Sequence, residues 1–283
     1  HCLEAGLVGG EGFAVDASVI EADASRFQRI EGAKIDWSEQ QLARHAIKEY
    51  VTALETENSP LNPDKLPKAL SPTDPAAAWT TRGRNKVMFA YSLNYLIDME
   101  STVIVDVEAT PTRITKEVDA AETMLQRTEE RFALKPERIA GDVAYGTGEM
   151  LGWLVAHDID PHIPVWDRSE VAAKGKFARG DFSYDKERDL YVCPGGKELK
   201  TSGTVHDGTT IKYIAKRSDC RQCPLKPQCT TGRERRVSTD VNQEARDYTQ
   251  ALMETDAYRQ SNIDRKQIER LFGEAKSQLS MTR

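Results

Sequence analysis

The sequence predicts an α/β protein, a mixed sheet with flanking helices. Apolar, β-rich runs at 12–18, 86–110 and 138–142 have the length and composition of strands. Segments 38–56, 117–133 and 241–283 instead carry apolar residues at helical spacing. The 283 residues, 39% hydrophobic and 30% charged, suffice for a real core and about two domains of a soluble globular protein.

Taken in order, "GFAVDAS" (12–18) reads as a buried strand that ends at Asp16. "SEQQLARHAIKEYVTALET" (38–56) reads as a helix with Ser38 as N-cap and Gln41 at the capping-box position. The five prolines of 58–75 make a surface connector. Residues 86–110 predict two antiparallel strands joined by a turn near Asp98–Ser101, and a helix follows at about 117–133. "RIAGDVAYGTGEML" (138–151) reads as a strand, a glycine-containing turn and a helix capped near Thr147, and 160–167 holds a further short strand. From 168 to 240, short β-like runs surround clustered cysteines, which marks an inserted subdomain. The expected organisation is a core over 1–167, interrupted at about 37–80 by a helical and proline-rich insertion, then the 168–240 insertion, then a helical return to the core over 241–283.

Net charge is −6, unevenly spread: residues 1–200 hold 24 Lys and Arg against 34 Asp and Glu, and residues 201–283 hold 15 against 11. The acidic total argues against a protein that grips nucleic acid over its whole surface, while leaving the basic C-terminal part free to do so. No apolar run reaches the roughly 18 residues of a membrane span. No secretory leader is visible, so a cytoplasmic, reducing setting is expected. The first residues lack Met and the last stop within a helical pattern, as in a piece of a longer chain.

Three acids stand where an acid needs a reason. Asp16 and Asp142 close apolar strands, and Glu269 borders the apolar stripe of the last helix, Ile268, Leu271, Phe272, Ala275 and Leu279. At about 100° per residue, Arg265, Glu269 and Lys276 fall within about 40° of one another, and Glu274 about half a turn away. Strand ends of α/β sheets gather ligand sites, and converging carboxylates need a hard cation, Mg²⁺ or Mn²⁺. Two such ions about 3.5–4 Å apart promote phosphodiester displacement. Taken singly, each acid has a plainer use: Asp16 and Asp142 as turn or cap residues, Glu269 as an i,i+4 partner of Arg265.

"FAVDASVIEADAS", "SPTDPAAAW", "IAGDVAYGTGEML" and "RKQIERLFGEAK", in this order, resemble the DDE transposases of bacterial insertion sequences over nearly the whole chain. Within them the chain is similar to the subgroup with a Tyr-x2-Arg-x3-Glu-x6-Lys signature, which Arg265, Glu269 and Lys276 match. The signature tyrosine is missing: Asn262 holds its place, and Tyr258 is the nearest tyrosine. The resemblance implies an RNase H-like core in which Asp16, Asp142 and Glu269 bind the catalytic metals and Arg265 and Lys276 hold DNA phosphates or orient the glutamate. It implies end cleavage by water and strand transfer by the freed 3′-OH, without a covalent protein intermediate. Its partners would be the element's terminal repeats, target DNA and further copies of the chain assembled on DNA, in a bacterial, nucleoid-associated setting.

Cys220 and Cys223, with two residues between them, have the spacing of paired thiolates on one tetrahedral Zn²⁺, and Cys193 and Cys229 would complete a closed structural site. His206 is a second choice for one ligand. Similar cysteine-bearing insertions occur in relatives of the transposase group. Residues 211–236 carry eight Lys and Arg against two acids, either a DNA-backbone track or a solvated β-surface. Gly146 and Gly148 lack any phosphate-loop pattern, so no nucleotide cofactor is expected. His45 and His157 read as packed or surface residues, and Trp166 as a core or rim residue. Two other functions share these features: a non-catalytic zinc-containing DNA-binding protein, and a metal-dependent nuclease that cuts without joining.

Overall fold

A computed structural model describes residues 1–34, 47–51, 67–82, 86–111, 114–165 and 176–278, and these form a mixed α/β structure. Most of the expected 38–56 helix lies outside the described residues, apart from a helical stretch at 47–51; His45 and Trp166 also lie outside them. The chain divides into two compact units, His1–Tyr145 with Thr255–Arg283, and Gly146–Glu254.

The first unit is built on a sheet around β1 (Gly12–Glu21), which pairs antiparallel with β5 (Lys86–Asp98) and parallel with β7 (Arg138–Ala140). β4 (Ala78–Arg82) and β6 (Ile104–Pro111) pair antiparallel with β5, and the short strands β2 (Ile30–Glu31) and β3 (Ala69–Leu70) pair with one another. Phe13, Ala14 and Val15 are fully buried, as a central strand covered on both faces requires. β1 does not end at Asp16 as the sequence predicted. The 13-residue β5 offers backbone partners out to Ala90, so Ser18–Glu21 stay paired and Asp16 sits mid-strand, opposite Tyr95.

The turn between β5 and β6 falls where expected. Asp98, almost fully buried, closes it by accepting from the backbone and hydroxyl of Ser101, both at 2.8 Å, and from Gly10 N at 3.0 Å. Helix α1 (Ile114–Phe132) buries Val118, Ala121, Met124, Leu125 and Thr128, one stripe at helical spacing. Arg127 ties α1 to β6 through Asp106 at 2.7 Å and Glu108 at 2.8 Å.

The second unit opens with α2 (Gly148–Ala156), capped by Thr147 Oγ1, which accepts from Met150 N at 3.2 Å, and continues into β8 (Asp160–His162). Its own sheet is antiparallel, in the order β12 (Val205–His206), β13 (Thr210–Ala215), β11 (Glu198–Lys200), β10 (Leu190–Val192), β9 (Ser183–Asp185), with β14 (Arg236–Asp240) also on β13. Tyr191, Leu199, Tyr213, Val237 and Phe182 form its core.

Gly148 and Gly152 face the start of α5 (Gln243–Leu252), which packs on α2. A Cβ at Gly152 would stand 2.5 Å from Asn242 Oδ1, and one at Gly148 within 2.4–2.5 Å of the Asp240 carboxylate. Gly152→Ala is therefore expected to cost about 1–3 kcal/mol by overpacking, against the gain in helix propensity. Urea unfolding measures it; a raised midpoint would mean that Asn242 moves aside freely.

Candidate active site

The register of the parallel pair builds the site. Gly12, Phe13 and Ala14 pair with Arg138, Ile139 and Ala140. Continued by two residues, that register sets Asp142 alongside Asp16, on the same face, just where β7 has ended and left the edge of β1 open. The Val143–Tyr145 helical turn then folds the chain back: Asp142 Oδ1 accepts from Ala144 N at 2.8 Å and its carbonyl from Tyr145 N at 3.2 Å. Helix α6 (Asp256–Gln278) packs against β1 and β7 and brings up Arg265 and Glu269.

Asp16 lies within electrostatic reach of the other candidate residues. Burial pushes the Asp16 carboxyl up to about 6 from 3.8; its hydrogen bond from Ala17 N lowers it, Asp142 raises it, Arg265 lowers it and Glu269 raises it. Asp142, Glu269 and Arg265, all in the first unit, thus act on Asp16. Arg265 is largely buried and Glu269 half-exposed, and Arg265 Nη2 lies 3.4 Å from Glu269 Oε1, the i,i+4 pair that the spacing allowed. Glu274 is exposed, as the wheel placed it. Lys276 lies on α6, but its side chain is outside the described residues. Where the signature tyrosine is missing, Asn262 donates to the carbonyl of Tyr258 at 3.1 Å, and Tyr258 is buried within electrostatic reach of Arg265.

The fold favours protonated Asp16, so its contribution to stability is full below the ordinary carboxylate value and is lost as pH rises through about 6. The charged form costs on the order of 3 kcal/mol at neutral pH. Asp16→Asn should therefore stabilise the metal-free protein at pH 7.5, by on the order of 1–3 kcal/mol, and the gain should vanish near pH 4. Melting curves at the two pH values measure it; an equal effect at both would contradict the burial of a charged Asp16.

Two residues that the sequence did not single out border this centre. Tyr145 is 2% exposed, and burial, then Glu117, Asp16 and Asp142, raise its phenol well above the usual range. Glu117, in the first turn of α1, accepts from Ser92 Oγ at 2.6 Å. Nothing in the one-dimensional pattern distinguished Glu117 from an ordinary first-turn acid.

In the second unit the four cysteines border a common cavity. Cys193, Cys220, Cys223 and Cys229 line one cavity of about 30 Å³ with Arg235. A Cβ added at Gly195 would lie 3.6 Å from Cys223 Sγ and 3.7 Å from Cys193 Sγ. Backbone N–H groups of Lys197 and Arg235 donate to the sulfurs of Cys193 and Cys220, at 3.3 and 3.4 Å. Burial pushes the Cys229 thiol up, Arg235 draws it down, and the other three cysteines raise it. His206 lies in β12 and does not line this cavity.

Arg235 anchors the cysteine loop, donating to the carbonyls of Cys229 at 3.0 Å and Phe177 at 2.9 Å. Arg217, Arg233 and Arg236 line an adjoining open cavity, where Glu234 pairs with Arg217 at 3.5 Å and Arg236 at 2.8 Å. Among the described residues, no three His, Cys, Asp or Glu side chains stand together as a ready metal shell. None of the described helices is long and apolar enough to cross a membrane.

Residues 192–283 match the family model described as Transposase DDE domain. The match contains the four clustered cysteines, Arg265, Glu269 and Lys276; Asp16 and Asp142 precede it. No curated protein and no solved structure matches the chain. The motif resemblance and the family match point the same way: over residues 192–283, about a third of its length, this chain is similar to the transposase DDE domain family.

Proposed function

We propose that the chain is a DDE-type transposase that cleaves DNA at insertion-sequence ends and joins the freed ends to target DNA, using Asp16, Asp142 and Glu269. The observation that carries this reading is the convergence of Asp16 and Asp142 at the end of the β1–β7 pair, facing Arg265 and Glu269 of α6. The strand order β6, β5, β1, β7, antiparallel except for the last pair, supports an RNase H-like core.

The donor set suits a hard cation. Asp142 and Glu269 raise the proton affinity of Asp16, a repulsion that Mg²⁺ or Mn²⁺, whose ligands are oxygens, would relieve. Asp16 and Asp142 would hold it, with Glu269 turning from Arg265 to join them. A divalent cation held there supplies Lewis-acid catalysis of phosphodiester displacement. Arg265, released from Glu269, is placed to bind a DNA phosphate, and Lys276 extends the same helix side. In each displacement one P–O bond breaks as another forms: water is the first nucleophile and the freed 3′-OH the second.

The second unit serves as a zinc-stabilised module in this reading. Four thiols around one small cavity, with backbone N–H groups on two sulfurs, suit a closed structural Zn²⁺ site. The adjoining arginines offer contacts to the DNA backbone. The partners are therefore DNA ends, target DNA and other copies of the chain assembled on DNA, with no nucleotide cofactor.

Labelled duplexes carrying candidate element ends, incubated with the full chain, Mg²⁺ and a target plasmid, test the reading. Nicked and joined products are expected. Nicking of the ends together with failure to join a pre-cleaved end would make the protein a nuclease, and DNA binding without either would make it a non-catalytic binder.

A further inference from the structure

The carboxylate centre is surrounded by buried polar atoms that the described residues leave unsatisfied. Tyr145 OH and Arg265 Nε have no hydrogen-bond partner among them, and both residues are within electrostatic reach of Asp16. Ser18 Oγ is likewise unpartnered, two residues along β1 and hence on the Asp16 face. A buried hydroxyl without a partner is costly, and such a group in a native fold calls for an explanation.

Tyr145 is the most constrained of the three. It ends the turn that begins at Asp142, and α1 packs against that turn. The ring is buried to 2% exposure, so its hydroxyl has no bulk water to donate to. Around it stand three carboxylates, Glu117, Asp16 and Asp142. Glu117 itself accepts from Ser92 Oγ at 2.6 Å, which fixes the position of its carboxyl group. Burial first, and then these carboxyl groups, raise the phenol well above its ordinary range, so it keeps its proton and remains a donor.

Resting on the transposase reading above, we propose that Tyr145 is a positioning residue of the carboxylate centre, its hydroxyl donating to an oxygen that arrives with the divalent cation at Asp16 and Asp142. Glu117 and Ser92 hold the tyrosine environment in place for this. The hydroxyl thus orients the cation's surroundings as a hydrogen-bonding neighbour does in a metal site, where loss of such a partner typically costs about 10–100-fold in metal affinity.

Tyr145→Phe removes the oxygen and keeps the ring. Mn²⁺ titration calorimetry on the zinc-loaded full chain would compare wild type, Tyr145→Phe and Asp16→Asn, with melting of each metal-free protein alongside. The expected result is a Tyr145→Phe protein that melts no lower than wild type but binds Mn²⁺ about tenfold more weakly, while Asp16→Asn loses that binding. Equal Mn²⁺ affinity for Tyr145→Phe and wild type, with binding still lost in Asp16→Asn, would overturn the role of Tyr145 alone. Wild type that binds no Mn²⁺ sensitive to Asp16→Asn would overturn it together with the metal-dependent reading. Should Tyr145→Phe melt lower, loss of packing would explain a weakened site, and the positioning role would be overturned unless Glu117→Gln, which retains an acceptor for Ser92, also weakened Mn²⁺ binding at wild-type stability.

Discussion

Changing Asp16, Asp142 or Glu269 to the matching amide is expected to lower DNA cleavage and joining by about 10³-fold or more, since each would remove a charge from the proposed metal centre, where catalysis rests on electrostatic stabilisation. The amides keep size and much of the hydrogen bonding, so the loss is one of charge. Asp142→Asn still leaves an oxygen to accept from Ala144 N, which preserves the turn. Glu269→Gln removes the ion pair with Arg265, a half-exposed contact worth only about 0.2–0.5 kcal/mol in a helix, so the fold should be unaffected. Glu274→Gln is the internal control: on the exposed side of the same helix, it should change the rate less than about twofold. Gel-based cleavage of labelled ends in Mg²⁺ reads all four. Equal losses at Glu269 and Glu274 would mean that α6 is sensitive to charge in general; no loss at Glu269 would remove it from the catalytic set. Asp16→Asn should combine this loss with the higher metal-free stability expected from removing a buried charge, the opposite of what a merely structural aspartate would do.

On the proposed four-cysteine zinc site, stripping Zn²⁺ or making Cys220→Ser is expected to melt the second unit's cysteine loops and lower its unfolding midpoint sharply. Structural Zn²⁺ in zinc-finger peptides is bound with roughly 10–16 kcal/mol at pH 7, and that binding energy is folding energy. The helices that carry Cys220 and Cys229 are short: α3 (Arg217–Arg221) is five residues long and α4 (Lys226–Cys229) four. The five-residue and four-residue helices are too short to persist without tertiary support. Part of that support is Arg235, whose guanidinium spans two carbonyls and stacks 5.0 Å from the Phe182 ring centre. Elemental analysis of the purified chain should find about one zinc per chain, the number one tetrahedral four-cysteine site holds. A chain free of zinc, with a melting curve indifferent to chelator, would leave four free thiols around the cavity, of which Cys229 is buried, and no metal.

What could be read from the residues divides along local and non-local lines. The strand, turn and capped helix of 138–156 were legible because their signals are local: apolar β-branched residues, then glycines, then Thr147 as N-cap. The exposure of Glu274 followed from helix geometry alone. The convergence of the cysteines had a local seed in Cys220 and Cys223, and the tight turn at Gly196 after Cys193 completes it from the β10–β11 hairpin.

Other features depended on pairing across the chain. Where β1 ends is decided by the length of β5, some 70 residues later, so a strand closing at Asp16 was the natural misreading. The adjacency of Asp16 and Asp142 is a matter of parallel register, which no single segment encodes. Tyr145 and Glu117 escaped for the same reason, since each gains its meaning only from what α1 and the Asp142 turn bring against it. The anchoring role of Arg235 was hidden within a run of arginines whose other members line open surface.

The central claim is that Asp16, Asp142 and Glu269 share a divalent cation, and anomalous diffraction from a crystal soaked in Mn²⁺ addresses it most directly. A peak bounded by the Asp16 and Asp142 carboxylates, with Glu269 turned from Arg265 toward it, is the predicted result. A peak elsewhere, with the three carboxylates far apart, would contradict it.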